Sequence, residues 1–355
     1  MYSEDHPADR YHRQALVPDI GPDGQRNISS SCAMIVGVGA LGCAAADHLA
    51  RAGVGRLILI DRDVVEWTNL HRQCLFDEQD AREHAPKALA AARRLSRVNS
   101  AISITPEVTD LTPRNARSMV DRHRPAVLLD STDNFQTRFL MNDLAVRLKI
   151  PLAYAGVLAT FGMAMTVMAG STPCLRCVFD GPPTTPGETC DTAGVIGPAA
   201  GFAASMQAAE AIKILAGRAD AVSNRLVRFD LWRSTHTSID LSDSRRADCP
   251  CCSEGRYEFL DGEAADTAAT LCGRGAVQIW PGGVASVDLG SMLNRLSPHG
   301  SFSLTPVTLR GTLRETPADA DGPIELTVFG DGRTIVRGTT RVDLARSIHA
   351  RYIGS

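Results

Sequence analysis

Four cysteines in two pairs form the clearest chemical pattern in the sequence. Cys174 and Cys177 make one Cys-x-x-Cys pair, and Cys249 and Cys252 make another. Two such pairs supply four thiolates, the ligand set of a tetrahedral structural zinc site with no position open for a substrate. The pairs are far apart in the chain, so the predicted zinc ion would tie distant segments together. Cys251 is an alternative to Cys252, although the Cys-x-x-Cys spacing favours Cys252.

A glycine-rich turn indicates a second site, one for a phosphate group. Gly37, Gly39 and Gly42 follow the apolar run 33–36 and lead into an alanine-rich segment. Glycines at this spacing let the backbone approach a phosphate and place it at a helix N-terminus, where N–H groups and the helix dipole favour anions. Asp61 ends the next apolar run, where an acidic residue is expected to bind a ribose hydroxyl. By itself the pattern also fits dinucleotide binding.

Polar and basic residues downstream of the turn suit adenylation better than hydride transfer. They are Asp63, Asn69, Arg72, Gln73 and Lys87. Joining a carboxylate to the α-phosphate of ATP brings two anions together, so fixed cations and a metal ion must offset their repulsion. Arg72 and Lys87 suit that role.

Asp133 is the predicted magnesium ligand. It lies just beyond the apolar run 126–129, at the C-terminal end of a predicted parallel strand, where ligands bind in open α/β sheets. A carboxylate in this position suits Mg²⁺, which prefers oxygen ligands beside phosphates. The segment 131–134 also fits an N-terminal cap of the following helix, and the two roles are compatible.

These motifs, taken in order, resemble the ThiF/MoeB/HesA adenylyltransferases, relatives of the ubiquitin-activating enzymes. The resemblance covers residues 10–252 and includes the segments 10–14 and 190–198. It implies that Asp61 holds the adenosine ribose, that Asp133 holds Mg²⁺, and that Arg13 reaches the ATP site of the other subunit of a homodimer. The residues implied around the phosphates are Asn69, Arg72, Gln73 and Lys87.

The implied reaction is ATP-dependent adenylation of the C-terminal glycine carboxylate of a ubiquitin-like sulfur-carrier protein. A sulfur donor, a desulfurase or a sulfurtransferase, would then convert the acyl adenylate into a thiocarboxylate. Cys190 matches a cysteine that in some members bonds covalently to the carrier, while other members keep it without needing it for adenylation. A nucleophilic role would require a lowered thiol pKa.

Other functions remain open at this point. One is a related activating enzyme that acts on a tRNA, a peptide or a conjugated ubiquitin-like protein. An NAD-dependent oxidoreductase is a second, and a non-catalytic scaffold is a third. The intact set of basic and acidic residues argues against the scaffold; it comprises Arg13, Arg72, Lys87 and Asp133.

The elements that must position these residues alternate between strand and helix, which predicts a Rossmann-like, doubly wound, mostly parallel sheet. The predicted strands are 33–36, 56–61, 126–129, 152–155 and 163–168. The predicted helices are 43–52, 86–97, 135–148 and 198–216, the last apolar all round and therefore expected to be buried.

After Cys252 the predicted strands and helices become shorter. This change predicts two domains, an adenylation domain at 1–253 and a small α+β domain at 254–355. Its predicted elements are strands at 277–279, 284–287, 324–329 and 334–337 and helices at 289–296 and 342–352, with a hairpin turn at 330–332. Cys272 resembles the cysteine of a rhodanese loop only faintly. A folding or carrier-docking module is the preferred interpretation.

The composition of the chain limits the kinds of partner that it is expected to bind. The 355-residue chain has a net charge of -3 and 5% aromatic residues, which argues against nucleic acid or an anionic membrane as the main partner. The uncharged stretch 152–170 is divided by glycines and predicts two buried strands rather than a membrane span. An acidic N-terminus without an apolar segment predicts a cytoplasmic location.

Overall fold

The computed structural model describes residues 10–179, 181–182, 193–262, 268–271, 275–279, 287–305 and 308–354. The chain divides into two compact units, Met1–Glu263 and Ala264–Ser355. The sequence places this boundary at residue 253. In the structure the first unit continues further, because the backbone N–H of Phe259 donates a hydrogen bond to Asp143 in the first unit (2.8 Å). None of the helices in the described segments combines the length and the apolar character that a membrane span requires.

The first unit alternates strands with helices. Its strands are β1 (Cys32–Val36), β2 (Arg56–Ile60), β3 (Ser103–Glu107), β4 (Val127–Asp130), β5 (Leu152–Leu158), β6 (Phe161–Val167), β7 (Arg225–Asp230) and β8 (Thr235–Asp240). Its described helices are α1 (His12–Ala15), α2 (Gly21–Ser30), α3 (Ala40–Ala52), α4 (Glu78–Arg82), α5 (Lys87–Val98), α6 (Ala116–His123), α7 (Phe135–Leu148), α8 (Leu175–Val178), α9 (Gly197–Leu215) and α10 (Glu258–Asp261).

The eight strands form one sheet in the order β3-β2-β1-β4-β5-β6-β7-β8. Neighbours from β3 to β5 are parallel, whereas β6, β7 and β8 extend the sheet in antiparallel pairs. The predicted doubly wound, mostly parallel sheet is confirmed. The strand order reverses between β1 and β4, and in such sheets ligands bind at this switch point, beyond the carboxyl ends of the strands.

Both faces of the sheet are covered, as the continuous apolar runs of parallel strands require. Ala33 and Ile35 of β1 point into a core shared with α3 and α9. Met34 and Val36 point to the opposite face, into a core shared with α6, α7 and the cysteine pairs. Side chains alternate between the faces because the strand repeat is two residues. The core on one face therefore supports the glycine turn, and the other supports the predicted zinc site.

The expectation that the apolar helix 198–216 is buried holds for one side of α9 only. Ala203 and Ala204 are fully buried against the sheet, but Phe202 is 40% exposed and Ser205 is exposed. One side of α9 packs on α3 and on β4 to β6, and the opposite side faces outward. The many small and apolar residues of this helix therefore do not predict how much of its surface other elements cover.

Three strands of this sheet lie outside the sequence predictions, for reasons visible in their residues. β3 is an edge strand that carries Pro106, a residue tolerated only where a strand lacks a partner on one side. β8, the other edge, is exposed along its whole length, so it lacks an apolar pattern. β7 lies between β6 and β8 and alternates irregularly between buried and exposed positions. The two strands predicted within 152–170 are confirmed as β5 and β6.

The second unit is an α+β fold, as predicted. Its sheet has the order β11-β12-β13-β14-β10-β9 with antiparallel neighbours. The strands are β9 (Ala268–Leu271), β10 (Ala276–Ile279), β11 (Gly300–Leu304), β12 (Thr308–Leu313), β13 (Glu325–Phe329) and β14 (Thr334–Arg337), and the helices are α11 (Leu289–Leu296) and α12 (Val342–Tyr352). The predicted hairpin joins β13 to β14, and Gly332 in its turn has φ +83°. Residues 284–286 of one predicted strand lie outside the described residues.

Candidate nucleotide and zinc sites

The turn after β1 requires glycine at two of its three positions. Gly37 has φ +86°, and a Cβ there would stand 2.6 Å from the carbonyl oxygen of Ser131. A Cβ on Gly42 would stand 1.9 Å from the carbonyl oxygen of Gly37, so α3 packs directly on the turn. Gly39 is the N-cap of α3 and carries no side chain to cap the first turn. The N-terminal amides of α3 are therefore free of a side-chain cap, as anion binding requires.

Asp61 closes this turn from the neighbouring strand. Its two carboxylate oxygens accept the N–H groups of Val38 (2.6 Å) and Asp63 (2.7 Å). Burial raises the pKa of Asp61, and the charge of Lys87 opposes that rise. The predicted ribose ligand thus lies beside the glycine turn. It also holds the turn in shape.

Lys87 is a buried cation next to the same turn. It begins α5 and is 3% exposed. Its Nζ lies 3.4 Å from Oδ2 of Asp63, and its backbone N–H donates to the carbonyl of Asp63 (2.9 Å). A buried ammonium group acts over a longer distance than a solvated one because the surrounding dielectric constant is lower. The structure brings Asp63 and Lys87, two of the predicted residues, together with Asp61 in one charged group.

Arg62 and Asp110 complete this group, and the sequence analysis missed both. Arg62 Nη1 donates to Asp110 Oδ2 (2.7 Å), and Arg62 Nε lies 3.8 Å from Asp63 Oδ1. Burial opposes the charge on Arg62, but Asp110, Asp63 and, more weakly, Asp133 outweigh it and raise its pKa. Asp110 lies between β3 and α6, so a partner for Arg62 is found only once β3 is placed beside β2.

The segment 69–73 approaches the turn through Gln73. Gln73 is 3% exposed, and its Nε2 is the nearest atom to the position that a Cβ of Gly39 would take (3.9 Å). Its Oε1 is buried and has no hydrogen-bond partner among the described residues. Asn69 is buried, and its Oδ1 accepts the N–H of Glu66 (3.0 Å). Gln73 therefore offers an unused polar atom beside the glycine turn.

Arg72 and Asp133 are the more accessible of the predicted residues. Arg72 is half-buried and donates through Nη1 to the carbonyl of Thr68 (2.6 Å). The start of α9 lies close by, since a Cβ on Gly197 would be 3.7 Å from Cα of Arg72. Asp133 is exposed just beyond β4, between the switch-point strand and α7. An exposed carboxylate in this position fits an Mg²⁺ ion that accompanies phosphates.

The expected cap of α7 is present as well. Asn134 is the N-cap residue, and its side chain accepts the N–H of Gln136 (2.8 Å). The segment 131–134 thus caps a helix while leaving Asp133 exposed, so the two interpretations of this segment are compatible in the structure.

A buried glutamine joins α9 to the strands that carry this segment. Gln207 Nε2 donates to the carbonyls of Asp130 (2.7 Å) and Ala153 (2.9 Å), and its Oε1 accepts the hydroxyl of Ser131 (3.1 Å). The sequence signal was available, because a lone amide on an otherwise apolar helix face must be paired when it is buried.

The four predicted zinc ligands converge in the structure. The sulfur atoms of Cys174, Cys177, Cys249 and Cys252 all lie within 4.8 Å of one another. Cys174 and Cys249 are 3.6 Å apart, and Cys177 and Cys252 are 3.4 Å apart. Zinc–sulfur bonds of about 2.3 Å in a tetrahedron place the sulfurs about 3.8 Å apart. The residues therefore fit a structural zinc ion.

Cys251 takes a different role from Cys252. It is buried, and its sulfur accepts a hydrogen bond from Nδ2 of Asn142 on α7 (3.3 Å). Oδ1 of the same asparagine accepts the backbone N–H of Leu175, between the first two cysteines (2.8 Å). Asn142 thus binds both cysteine segments, a role that the motif spacing could not reveal.

Three predicted residues lie outside the groups described above. Arg13 lies on α1 with an exposed side chain. Cys190 and Cys272 lie outside the described residues. Their predicted roles stay predictions.

Comparison with known proteins gives a consistent result. The model of the ThiF family matches residues 11–251. The sulfur carrier protein ThiS adenylyltransferase of Bacillus subtilis (strain 168) is 38% identical over 345 residues, which cover 97% of this chain and 99% of that protein. The adenylyltransferase and sulfurtransferase MOCS3 of Sus scrofa is 38% identical over 304 residues, 84% of this chain and 65% of MOCS3. A crystal structure of Escherichia coli MccB with MccA-N7isoASN has a TM-score of 0.60 at 22% identity, covers 70% of this chain and 76% of MccB, and supports the fold alone.

Proposed function

The chain belongs to the ThiF family, and from this premise we propose that it uses ATP to adenylate the C-terminal glycine carboxylate of a ubiquitin-like sulfur-carrier protein. The observation that carries the proposal is the buried Lys87–Asp63 pair beside Asp61 and the glycine turn. A cation fixed in a poorly solvated position next to a phosphate-binding turn suits a reaction between two anions. Similarity to the Bacillus subtilis enzyme over nearly the whole chain supports the same substrate class.

In the proposed reaction a carboxylate oxygen of the carrier attacks the α-phosphorus of ATP. The bond from that phosphorus to the bridging oxygen breaks, and pyrophosphate leaves with the negative charge. The products are the carrier acyl adenylate and pyrophosphate. AMP is then the leaving group when a sulfur donor, a desulfurase or a sulfurtransferase, converts the carrier end to a thiocarboxylate. The protein contributes positioning and charge compensation.

We propose a role for each of these residues, and its place in the structure supports that role. The glycine turn and the start of α3 hold a phosphate, and Asp61 holds the ribose. Gln73, whose Oε1 has no hydrogen-bond partner in the described part of the chain, and Asn69 position the nucleotide, while Arg72 and Lys87 offset phosphate charge. Bound Mg²⁺ would neutralise part of the triphosphate charge, and Asp133 is the residue that would hold it.

The active form is proposed to be a homodimer in which Arg13 completes the partner's ATP site. Leu16 and Val17, just after Arg13, are 66% and 44% exposed, which fits a surface that a second subunit covers. Mixing Arg13→Ala protein with Lys87→Met protein tests this. Each variant alone should be inactive, whereas mixed dimers should regain up to one intact site in two. No recovery in dimers shown to have exchanged subunits would contradict the shared site.

The remaining assignments follow the same premise. The four-cysteine centre holds Zn²⁺ and joins segments that are distant in sequence, and its reduced thiolates suit the predicted cytoplasmic location. Cys190 is a candidate for a covalent bond to the carrier, and the second unit is a folding or docking module. Replacing Cys190 with serine should leave adenylation intact and lower only a later, covalent step.

ATP–pyrophosphate exchange by the purified protein tests the proposed reaction. Each diglycine-tailed carrier candidate is added in turn, with a version lacking the two terminal glycines as control. Exchange that depends on one intact carrier would support both reaction and partner. ATP binding without exchange for any carrier would favour a peptide or tRNA substrate, and stoichiometric NAD binding without ATP binding would favour the oxidoreductase.

A further inference from the structure

A buried ion pair contacts the segment that carries Asp133. The carboxylate of Asp130, at the end of β4, is fully buried, and its Oδ2 accepts a hydrogen bond from Nε of Arg138 on α7 (3.2 Å). Arg138 Nη2 donates to the backbone carbonyl of Thr132 (2.9 Å). The other Asp130 oxygen accepts the backbone N–H (3.0 Å) and the hydroxyl (2.7 Å) of Thr132. We call Asp130, Thr132 and Arg138 the clasp; its four hydrogen bonds hold the backbone immediately before Asp133.

Two aromatic rings fix the guanidinium of the clasp. Its central carbon lies 4.9 Å from the ring centroid of Phe135 and 4.9 Å from that of Tyr154. Burial opposes the charge on Arg138, but Tyr154, Asp130 and Asp133 together raise its pKa. A planar guanidinium can stack on rings and donate in two directions at once, whereas a lysine ammonium cannot reproduce both.

Stability alone is a poor explanation for this arrangement. Buried ion pairs are often matched or exceeded in stability by apolar side chains of similar size, because desolvation offsets their attraction. What the clasp does provide is a single conformation for a short segment whose exposed end is Asp133. Adjacent Asn134 caps α7, so the same segment is held from both sides.

We propose that Arg138 is a positioning residue for the metal-dependent step, and that through Asp130 and Thr132 it holds Asp133 where the carboxylate meets the ATP-bound Mg²⁺. The inference rests on the function proposed above. Without Arg138 the Thr132 carbonyl loses its donor, and the segment samples several conformations. The apparent affinity for MgATP then equals the intrinsic affinity multiplied by the fraction of molecules in which Asp133 is aligned, so it falls as that fraction falls.

Arg138→Lys is the informative substitution, because it keeps a positive charge beside Asp130 and loses the two-directional hydrogen bonding. Arg147→Lys is the matched control: Arg147 lies on the same helix, pairs with Asp261, and packs on the ring of Tyr257. Zinc content and melting temperature report whether each variant is folded. ATP dissociation constants are measured by calorimetry without carrier, once with excess Mg²⁺ and once with EDTA.

We expect Arg138→Lys to weaken ATP binding about tenfold in Mg²⁺ and not in EDTA, and Arg147→Lys to change neither value. Asp133→Asn should show the same metal-specific loss. The double variant Asp133→Asn with Arg138→Lys should be no weaker than Asp133→Asn alone, because both changes remove one interaction.

Several results would overturn the inference. One is an equal loss of ATP affinity for Arg138→Lys in Mg²⁺ and in EDTA. A second is a loss of ATP affinity in the double variant that equals the sum of the two single losses. A third is an ATP affinity of the wild-type protein that does not depend on Mg²⁺. If Arg138→Lys binds less zinc or melts at a lower temperature than the wild-type protein, a second variant is measured instead. That variant combines Asp130→Asn with Arg138→Met and so removes both buried charges together. That variant must show the metal-specific loss, and wild-type affinity in it refutes the role. Absence of exchange by the wild-type protein with every carrier would refute the proposed function instead, since these binding measurements need no carrier.

Discussion

Replacing Asp143 with asparagine is expected to stabilise the first unit at neutral pH and to have little effect in acid. Asp143 is fully buried on α7, and its Oδ2 accepts the N–H of Phe259 (2.8 Å). Burial raises the pKa of this carboxyl from 3.8 to about 6. The folded state therefore binds the Asp143 proton more tightly than the unfolded chain does. Asparagine retains the acceptor for Phe259 and cannot ionise.

The sign and size follow from proton linkage. Below pH 3.8 the carboxyl is protonated in both states, and the group imposes no penalty. As the pH rises toward 6, the unfolded chain releases its proton first, so wild-type stability falls. The shift of about two pKa units is worth about 3 kcal/mol once both states are ionised. The same relation predicts a difference between variant and wild type of about 1 kcal/mol at pH 4.5 and about 3 kcal/mol at pH 7.5.

Urea denaturation of both proteins at a series of pH values between 4.5 and 7.5 measures this difference. Asp261→Asn is the control, because that carboxylate is exposed and its replacement should give a small difference that does not vary with pH. A difference for Asp143→Asn that stays flat with pH, or a variant less stable than wild type at pH 7.5, would refute the reasoning.

Three further expectations concern the two sites. Gly42→Ala should abolish ATP binding in calorimetry, because its Cβ would stand 1.9 Å from the Gly37 carbonyl oxygen. Gly201→Ala is the control and should bind ATP normally, because its Cβ would have no atom of the described residues within 4 Å. Equal ATP binding by the two variants would contradict the close-packed turn. Lys87→Met should lower ATP–pyrophosphate exchange by about 100- to 1,000-fold, and a loss under tenfold would exclude charge compensation by this residue. Cys177→Ser should lower zinc content by elemental analysis and lower the melting temperature, whereas exposed Cys74→Ser should change neither; full zinc occupancy in Cys177→Ser would remove it from the ligand set.

The strands that precede the site residues were predictable because each contains a short apolar run. β1, β2 and β4 lie inside a parallel sheet that is covered on both faces, which favours apolar residues at successive positions. The glycine turn, Asp61 and Asp133 each follow one of these runs. Their approach to one another at one edge of the sheet follows from the parallel order alone.

The edge strands and the side of α9 that faces outward were not predictable in the same way. β8 has no buried residue, and α9 carries a partly exposed apolar side chain, Phe202. In both cases the pattern of residues reflects composition, while exposure depends on which other elements cover the surface.

The sequence by itself determined which residues could act on ATP and which could bind zinc, because glycine spacing, cysteine spacing and charged residues after apolar runs are local features of the chain. Only the tertiary structure decided how they are supported. It brought the sulfur of Cys252 within 4.8 Å of those of Cys174, Cys177 and Cys249, joined Arg62 to Asp110, and placed Arg138 against the segment that precedes Asp133. The physical reason is that a buried charge or amide must find a partner, and that partner comes from whichever distant segment packs beside it, which no spacing along the chain records.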